Sequence, residues 1–293
     1  MTPYSILLIL ASALIHVSWN FFTKKGNWPV EFFFWVFLWG SLLYLPFFVA
    51  FGVFPSFLLQ APPKLWWLVI PSGFFETVYF ICLVRAYREG DLSFVYPTAR
   101  SAPLFTQLWA ALFIGEVLSP PGVLGIGLVV TGLFVVSLRD LRSHPAGAPS
   151  RRLALRPLLF ALSAAVASSI YSVIDKAGIQ ILQPTFYLWI INLWMCVDTA
   201  LYLLWHKERP LLKVWQESKK EILVIAVLQN VAYLLVLWAM QMSKVSYVVA
   251  FRQVGVLFGA GMGILVLKEK SWKPRMAGAC ILTLGLILIG LAK

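Results

Sequence analysis

Residues 93–116 read SFVYPTARSAPLFTQLWAALFIGE, an apolar stretch of the length that one membrane-spanning helix requires. A lone arginine, Arg100, lies inside it between Pro97 and Pro103. A proline removes a backbone hydrogen bond and kinks a helix, and a charge at the bilayer centre costs at least about 2.5–3.5 kcal/mol. The stretch therefore predicts a kinked helix whose arginine faces a polar cavity or a partner inside the membrane.

A second copy of this stretch lies 153 residues further on, where residues 246–269 read SYVVAFRQVGVLFGAGMGILVLKE. Both copies begin with Ser and end with Glu, and the second carries Arg252, one position out of register with Arg100. The same offset aligns other residues that seldom match by chance: Pro121, Gly125 and Gly132 with Pro274, Gly278 and Gly285. The chain therefore contains an internal repeat.

The composition is that of an integral membrane protein. Charged residues make up 12% of the 293 residues and hydrophobic residues 60%, whereas soluble domains carry about 25% charged residues. Backbone groups in lipid must be satisfied within each segment, so long apolar runs predict helices. Ten such runs predict an all-α fold with ten transmembrane helices: 4–22, 30–51, 65–85, 93–115, 121–138, 157–175, 184–204, 221–240, 246–267 and 274–291.

The repeat divides the chain into two five-helix halves, residues 1–138 and 157–293, joined by a linker over 139–156. Because five is odd, the second half enters the membrane in the opposite orientation, which predicts two inverted repeats. Of the 24 Lys and Arg residues, 18 lie in alternate gaps that include the linker, and four lie on the other side. This asymmetry predicts a cytoplasmic linker and both termini outside. The net charge of +12 is thereby explained without a nucleic-acid partner.

Arg100 and Arg252 are the leading candidates for binding a substrate. A guanidinium group keeps its proton and offers a planar set of donors that suits carboxylate or phosphate, so the two arginines predict an anion site. An internal alternative stays open, in which Glu76 neutralises one arginine and Asp198 the other.

Glu76 in the third run and His16 in the first are candidates for proton coupling, since each can change its protonation state. A structural role fits each of them equally well. Glu116 and Glu269, at the ends of the two copies, are interpreted as helix-boundary residues.

Three amides complete the predicted binding site. Gln107 lies seven residues after Arg100 and shares its helix face, and Gln253 adjoins Arg252. Asn230 aligns with Thr77, so that a polar pair beside Glu76 recurs in the second half. Amides in membrane helices also commonly bond to neighbouring helices.

Signatures of enzymes are missing, including H-E-x-x-H, G-x-S-x-G and the P-loop, so we expect no enzymatic activity, cofactor or metal. The segment endings FIGEVLSPPGVLGIGLVVTG and LVLKEKSWKPRMAGACILTLG resemble those of the drug/metabolite transporter superfamily, EamA branch. The opening HVSWNFFTKKG resembles a subgroup of bacterial inner membranes.

The resemblance implies a carrier that works by alternating access, holds its substrate between the halves, and often exports amino acids or other metabolites. Small multidrug-resistance relatives use a glutamate in the first helix, where this chain has His16, so cation efflux is less favoured. Arg252 resembles the basic residues in late helices of sugar-phosphate relatives, which favours an anionic or zwitterionic substrate. We expect an exporter in contact with lipid, as a monomer or homodimer; the alternatives are a membrane-embedded enzyme, a lipid-handling protein or a proton-coupled multidrug carrier.

Overall fold

The computed structural model describes residues 1–23, 28–52, 60–89, 92–142, 155–206, 209–258 and 273–292. All regular structure in these ranges is helical. The helices are α1 (Pro3–Thr23), α2 (Val30–Leu42), α3 (Leu45–Ala50), α4 (Pro63–Glu89), α5 (Leu92–Ala99), α6 (Ala102–Ile114), α7 (Pro120–Arg142), α8 (Leu155–Gly178), α9 (Pro184–Trp205), α10 (Leu211–Met242), α11 (Val245–Phe251) and α12 (Lys273–Leu291). Residues 254–258 are again helical.

Five helical stretches are long and apolar enough to cross a membrane: Val30–Ala50, α4, α8, α9 and α10. Shorter apolar helices cover Pro3–His16, Pro120–Val136, Val245–Phe258 and Met276–Leu291. The prediction of an all-helical membrane protein is confirmed at this level. Glu269 and residues 259–267 of the ninth apolar run lie outside the described ranges.

Both arginine-bearing segments are interrupted at the arginine itself. Arg100 lies between α5 and α6, and Arg252 lies between α11 and residues 254–258. Tighter i to i+3 bonds replace helical bonds at both breaks, from Ser101 N–H to Thr98 O at 3.1 Å and from Gln253 N–H to Ala250 O at 3.1 Å. Such short 3₁₀ turns within a helix often mark hinges. The prolines predicted the first break, whereas nothing local in the sequence predicted the second.

The most extensive packing joins helices from different halves of the chain. α1 packs on α10, and α4 packs on α8. In the repeat, α8 is the equivalent of α1 and α10 is the equivalent of α4, so these two contacts are equivalent to each other. α2 also packs on α9, and α7 packs on α12. The core therefore lies between the halves rather than inside either of them.

Glycines let α7 and α12 touch backbone to backbone. A Cβ placed on Gly125 would lie 2.9 Å from the carbonyl oxygen of Gly285, and one on Gly132 would lie 2.7 Å from that of Gly278. Because Gly125 faces the later glycine of α12 and Gly132 the earlier one, the two helices run antiparallel. These are the four glycines that the repeat aligns. The contact of Gly125 with Gly285 and the contact of Gly132 with Gly278 are therefore equivalent in the repeat.

One end of the bundle is closed by bonds around the turn between α10 and α11. The carboxylate of Glu116 accepts the N–H groups of Val245 at 3.0 Å and Ser246 at 3.2 Å, which satisfies donors that a helix start leaves open. The ammonium of Lys176 donates to the carbonyl oxygens of Met240 and Ser243. Glu116, predicted as a boundary residue of the first half, thus caps a helix of the second half.

The opposite end carries a separate set of bonds between the halves. Arg85 donates to the hydroxyl of Tyr202, and the backbone N–H of Arg209 donates to Glu31 at 2.6 Å. Arg156 forms a salt bridge with Glu89 at 3.3 Å. The basic side chains at this end belong to the gaps that the sequence assigns to the cytoplasm.

Candidate functional site

A cluster of polar side chains lies in the middle of the bundle, where most neighbouring residues are apolar. Its members come from both halves, and we refer to them as the central polar cluster: His16, Ser72, Glu76, Tyr79, Tyr96, Arg100, Tyr171, Asp175, Tyr187, Tyr233 and Arg252. Polar groups inside a membrane protein face a partner or a water-filled cavity, since lipid cannot satisfy them. The cluster is therefore the candidate functional site.

Arg100 lies against His16 and several tyrosines. Its Nη2 atom is 3.1 Å from Nε2 of His16, and its Cζ atom is 5.4 Å from the centre of the Tyr96 ring. A guanidinium group can only donate, so Nε2 of His16 accepts and its proton lies on Nδ1. His16 is thus neutral in this arrangement. Tyr79 and Tyr171 also lie within electrostatic range of Arg100.

Arg252 occupies the other side of the cluster. Its Cζ atom is 5.6 Å from the centre of the Tyr233 ring, and its charge acts on both Glu76 and Asp175. His16 lies within electrostatic range of both Arg100 and Arg252. Both arginines, each at a break in its copy, therefore act on the same histidine.

Neither arginine forms a salt bridge with a carboxylate within the described ranges. Glu76 is close enough to Arg252 to interact with it electrostatically. Asp198, the other predicted counter-ion, keeps an oxygen without a hydrogen-bond partner among the described residues. Neither guanidinium group is thus neutralised by a direct ion pair among the described residues.

Asp175 is a member of the cluster that the sequence did not single out. Its side chain is fully buried and accepts hydroxyl hydrogen bonds from Ser72, from Tyr187 at 2.9 Å and from Tyr233. It lies at the end of an apolar run, beside Lys176, where a carboxylate ordinarily reaches the membrane surface. Its spacing of four residues from Tyr171, which puts both on one helix face, was the signal that could have identified it.

Glu76 also lies in the central polar cluster. It follows Ser72 by one turn of α4, is 5% exposed, and interacts electrostatically with Asp175 and Arg252. Both candidates for coupling, Glu76 and His16, are therefore next to an arginine.

The predicted amides take different positions. Asn230 accepts from Asn192 at 2.8 Å and from Tyr44 at 3.3 Å, and donates to its own helix at Ala226 O. It thus joins α9, α10 and the turn between α2 and α3. Gln253 is buried and its Oε1 has no partner among the described residues. No hydrogen bond or electrostatic interaction of the described residues links Gln107 to either arginine.

No group of three or more His, Cys, Asp or Glu side chains within the described ranges could hold a metal ion. The site is built from arginines, tyrosines, two carboxyl groups and one neutral histidine. Such a set offers guanidinium and hydroxyl groups as hydrogen-bond donors.

Long apolar helices around a polar centre are typical of a multi-pass membrane protein. The model of the EamA-like transporter family matches residues 3–138 and again residues 155–291. The chain belongs to this family of the drug/metabolite transporter superfamily, as its segment endings predicted.

One solved crystal structure, described only as that of a protein, shares the fold with a TM-score of 0.75. It is 17% identical, and the match covers 99% of this chain and 98% of the other. No curated protein matches the chain. Membership of the family establishes a membrane transporter of small molecules.

Proposed function

We propose that this protein is a secondary transporter of a small organic anion or amino-acid-like metabolite, which it exports by alternating access. The substrate binds between the two repeats, with its acidic group at Arg100 and Arg252. The protein has ten transmembrane helices in two inverted repeats and acts in a bacterial inner membrane, with both termini outside. It has no enzymatic activity of its own.

The observation that carries this proposal is that Arg100 and Arg252 both lie within electrostatic range of His16, while neither forms a salt bridge among the described residues. Two like charges are costly to hold together inside a membrane, and an anion bound between them removes that cost. Tyr79, Tyr96 and Tyr171 surround Arg100 and supply hydroxyl groups for the remaining oxygens of such an anion. Glu76 lies beside this pocket, and Gln107 and Gln253 remain candidate contacts.

The helix breaks support alternating access. Discontinuous helices at the interface of inverted repeats are a recurring feature of transporter binding sites. Here each arginine lies at such a break, so that a rotation at Arg100 or Arg252 moves a binding group together with half a helix. Asn230 lies in the network that joins α9, α10 and the turn between α2 and α3, and it supports the site from outside.

The inverted arrangement is supported by the glycine contacts of α7 and α12, which run antiparallel. Glu116 and Lys176 form bonds at one end of the bundle, and Arg85 and Arg156 form bonds at the other. In chain order these residues lie at alternating ends, which is what a chain that crosses the membrane ten times requires. The excess of basic residues at the second end supports its cytoplasmic location.

The test is transport by purified protein in liposomes, with a panel of labelled organic acids, amino acids and phosphate esters. Arg100→Ala and Arg252→Ala should each lower uptake at least tenfold, because each removes a charge-assisted contact that is worth about 1.5–3 kcal/mol. Arg156→Ala is the matched control, since its guanidinium is 70% exposed and uptake should be unchanged.

Normal uptake by both central variants would overturn the anion site. Mass spectrometry of the transported compound should show it unaltered, and a chemically changed product would favour a membrane-embedded enzyme or lipid-handling protein. The buried carboxyl groups of Glu76 and Asp175 are the one feature that favours proton-coupled efflux of cationic drugs. Competition by such cations, unaffected by Arg100→Ala, would support that second candidate.

A further inference from the structure

Asp175 and Glu76 form a buried pair of carboxyl groups on facing helices. Asp175 on α8 is fully buried and Glu76 on α4 is 5% exposed, and the two interact electrostatically. Ser72, one turn before Glu76, donates to Asp175 and so ties α4 to α8 at this point. Lipid or water does not screen the two groups from each other.

The charges near this pair do not balance if both carboxyl groups are ionised. Arg252 is the one cation that acts on both of them. His16 contributes no charge, because its Nε2 accepts a hydrogen bond from Arg100. Lys176 follows Asp175 in the chain, but its ammonium is bound to the carbonyl oxygens at the end of α10. Arg100, the other arginine of the cluster, is bonded to His16 and acts on tyrosines rather than on these two carboxyl groups. Two negative charges thus face one positive charge.

Hydrogen bonds indicate which of the two carboxyl groups is ionised. All three hydroxyl groups that contact Asp175, those of Ser72, Tyr187 and Tyr233, donate to it. Donated hydrogen bonds favour the charged form of a carboxyl group. A like charge nearby disfavours ionisation of its neighbour, so Glu76 is the group that keeps a proton.

We propose that Glu76 and Asp175 hold a single exchangeable proton between them, with Arg252 as their common counter-ion, and that this pair is the proton-coupling site of the transporter. The groups that face Asp175 from the surrounding elements are Ser72 and Glu76 on α4, Tyr171 on α8, Tyr187 on α9, Tyr233 on α10 and Arg252 after α11.

The pair couples proton and substrate through Arg252, and this step rests on the proposed function. When a substrate anion binds Arg252, the guanidinium no longer compensates the carboxylate of Asp175. A second proton then binds to the pair, so the anion and a proton occupy the site together. In the proposed export the two leave together, driven by the gradient of the substrate. By reciprocity of coupled binding, a lower pH strengthens anion binding.

Infrared spectroscopy of the full-length protein in liposomes, without any substrate, tests the shared proton. The carbonyl band of one protonated carboxyl group should be present at neutral pH and disappear in Glu76→Gln. It should also disappear in Asp175→Asn, because Glu76 is then alone with Arg252 and ionises. In Arg252→Gln the band should double, since neither carboxyl group keeps a counter-ion.

Asp198→Asn, on α9, is the matched control and should leave this band unchanged. A band that survives Asp175→Asn, or that does not grow in Arg252→Gln, would overturn the shared proton. Thermal unfolding reports whether each variant folds; if Asp175→Asn does not fold, the Glu76→Gln and Arg252→Gln spectra still decide. Because no substrate is added, failure here is distinct from failure of the transport assay.

Discussion

His16 orients Arg100 because a neutral ring nitrogen accepts from the guanidinium at 3.1 Å. His16→Leu removes this acceptor and should weaken anion binding about tenfold or more, since a hydrogen bond to a charged group is worth about 1.5–3 kcal/mol. His16→Gln keeps an acceptor and should retain most of the affinity. The measurement is the concentration dependence of uptake in liposomes; equal affinities for the leucine and wild-type proteins would show that Arg100 does not need His16.

Single residues were predictable where charge contrasts with an apolar surrounding. Arg100, Arg252, Glu76 and His16 stand out in the sequence for that reason, and all four lie in the central polar cluster. Asp175 was missed because a carboxylate at the end of an apolar run usually reaches water. Its three hydroxyl partners come from other helices, which the local sequence does not reveal.

At the scale of helices, the glycine contact of α7 with α12 leaves no space for a side chain. Gly132→Ala or Gly285→Ala places a methyl group against backbone, at 2.7 Å from Gly278 O or 2.6 Å from Gly125 O, so the helices must separate. We expect a lower unfolding temperature and a loss of stability of about 1–3 kcal/mol, as for other overpacked contacts.

Gly127→Ala is the control on the same helix, since a Cβ there meets nothing within 4 Å. Alanine is the better helix former, so this variant should be at least as stable as the wild type. Unfolding of the intact chain in detergent measures all three variants. A Gly132→Ala protein as stable as Gly127→Ala would contradict the close contact.

The sequence predicted where helices lie better than where they break. Pro97 and Pro103 indicated the interruption beside Arg100. The equivalent interruption at Arg252 has no proline, and packing against the rest of the bundle, which no short sequence pattern encodes, imposes it. Similarly, α10 begins at Leu211 and is kinked at Ser218, where the backbone leaves the helical conformation. The sequence predicted only the part after this kink, from residue 221.

For the whole molecule, the distribution of basic residues predicts the orientation. Single cysteines placed near either terminus of a protein in which Cys82, Cys196 and Cys280 are replaced should react with a membrane-impermeant reagent in intact cells. A cysteine in the 139–156 linker should react only after the membrane is opened. The reverse pattern of labelling would place the termini in the cytoplasm.

The repeat predicted which helices are equivalent, but hydropathy could not predict which of them touch. Lipid-facing and protein-facing positions are equally apolar in a membrane protein, so the pairing of α1 with α10 and α4 with α8 had no sequence signal. The four matched glycines were the exception, because small residues mark places where helix backbones approach closely.

The contact of α7 with α12 also has a consequence for biosynthesis. α7 is made at the end of the first half, whereas its glycine partners are made at the end of the second half. During synthesis, the glycine face of α7 therefore lies against lipid until the second half has been inserted. The contacts between the two halves would all be possible if the halves were made as separate polypeptides. Assembly therefore depends on the two halves meeting in the bilayer rather than on the linker that joins them.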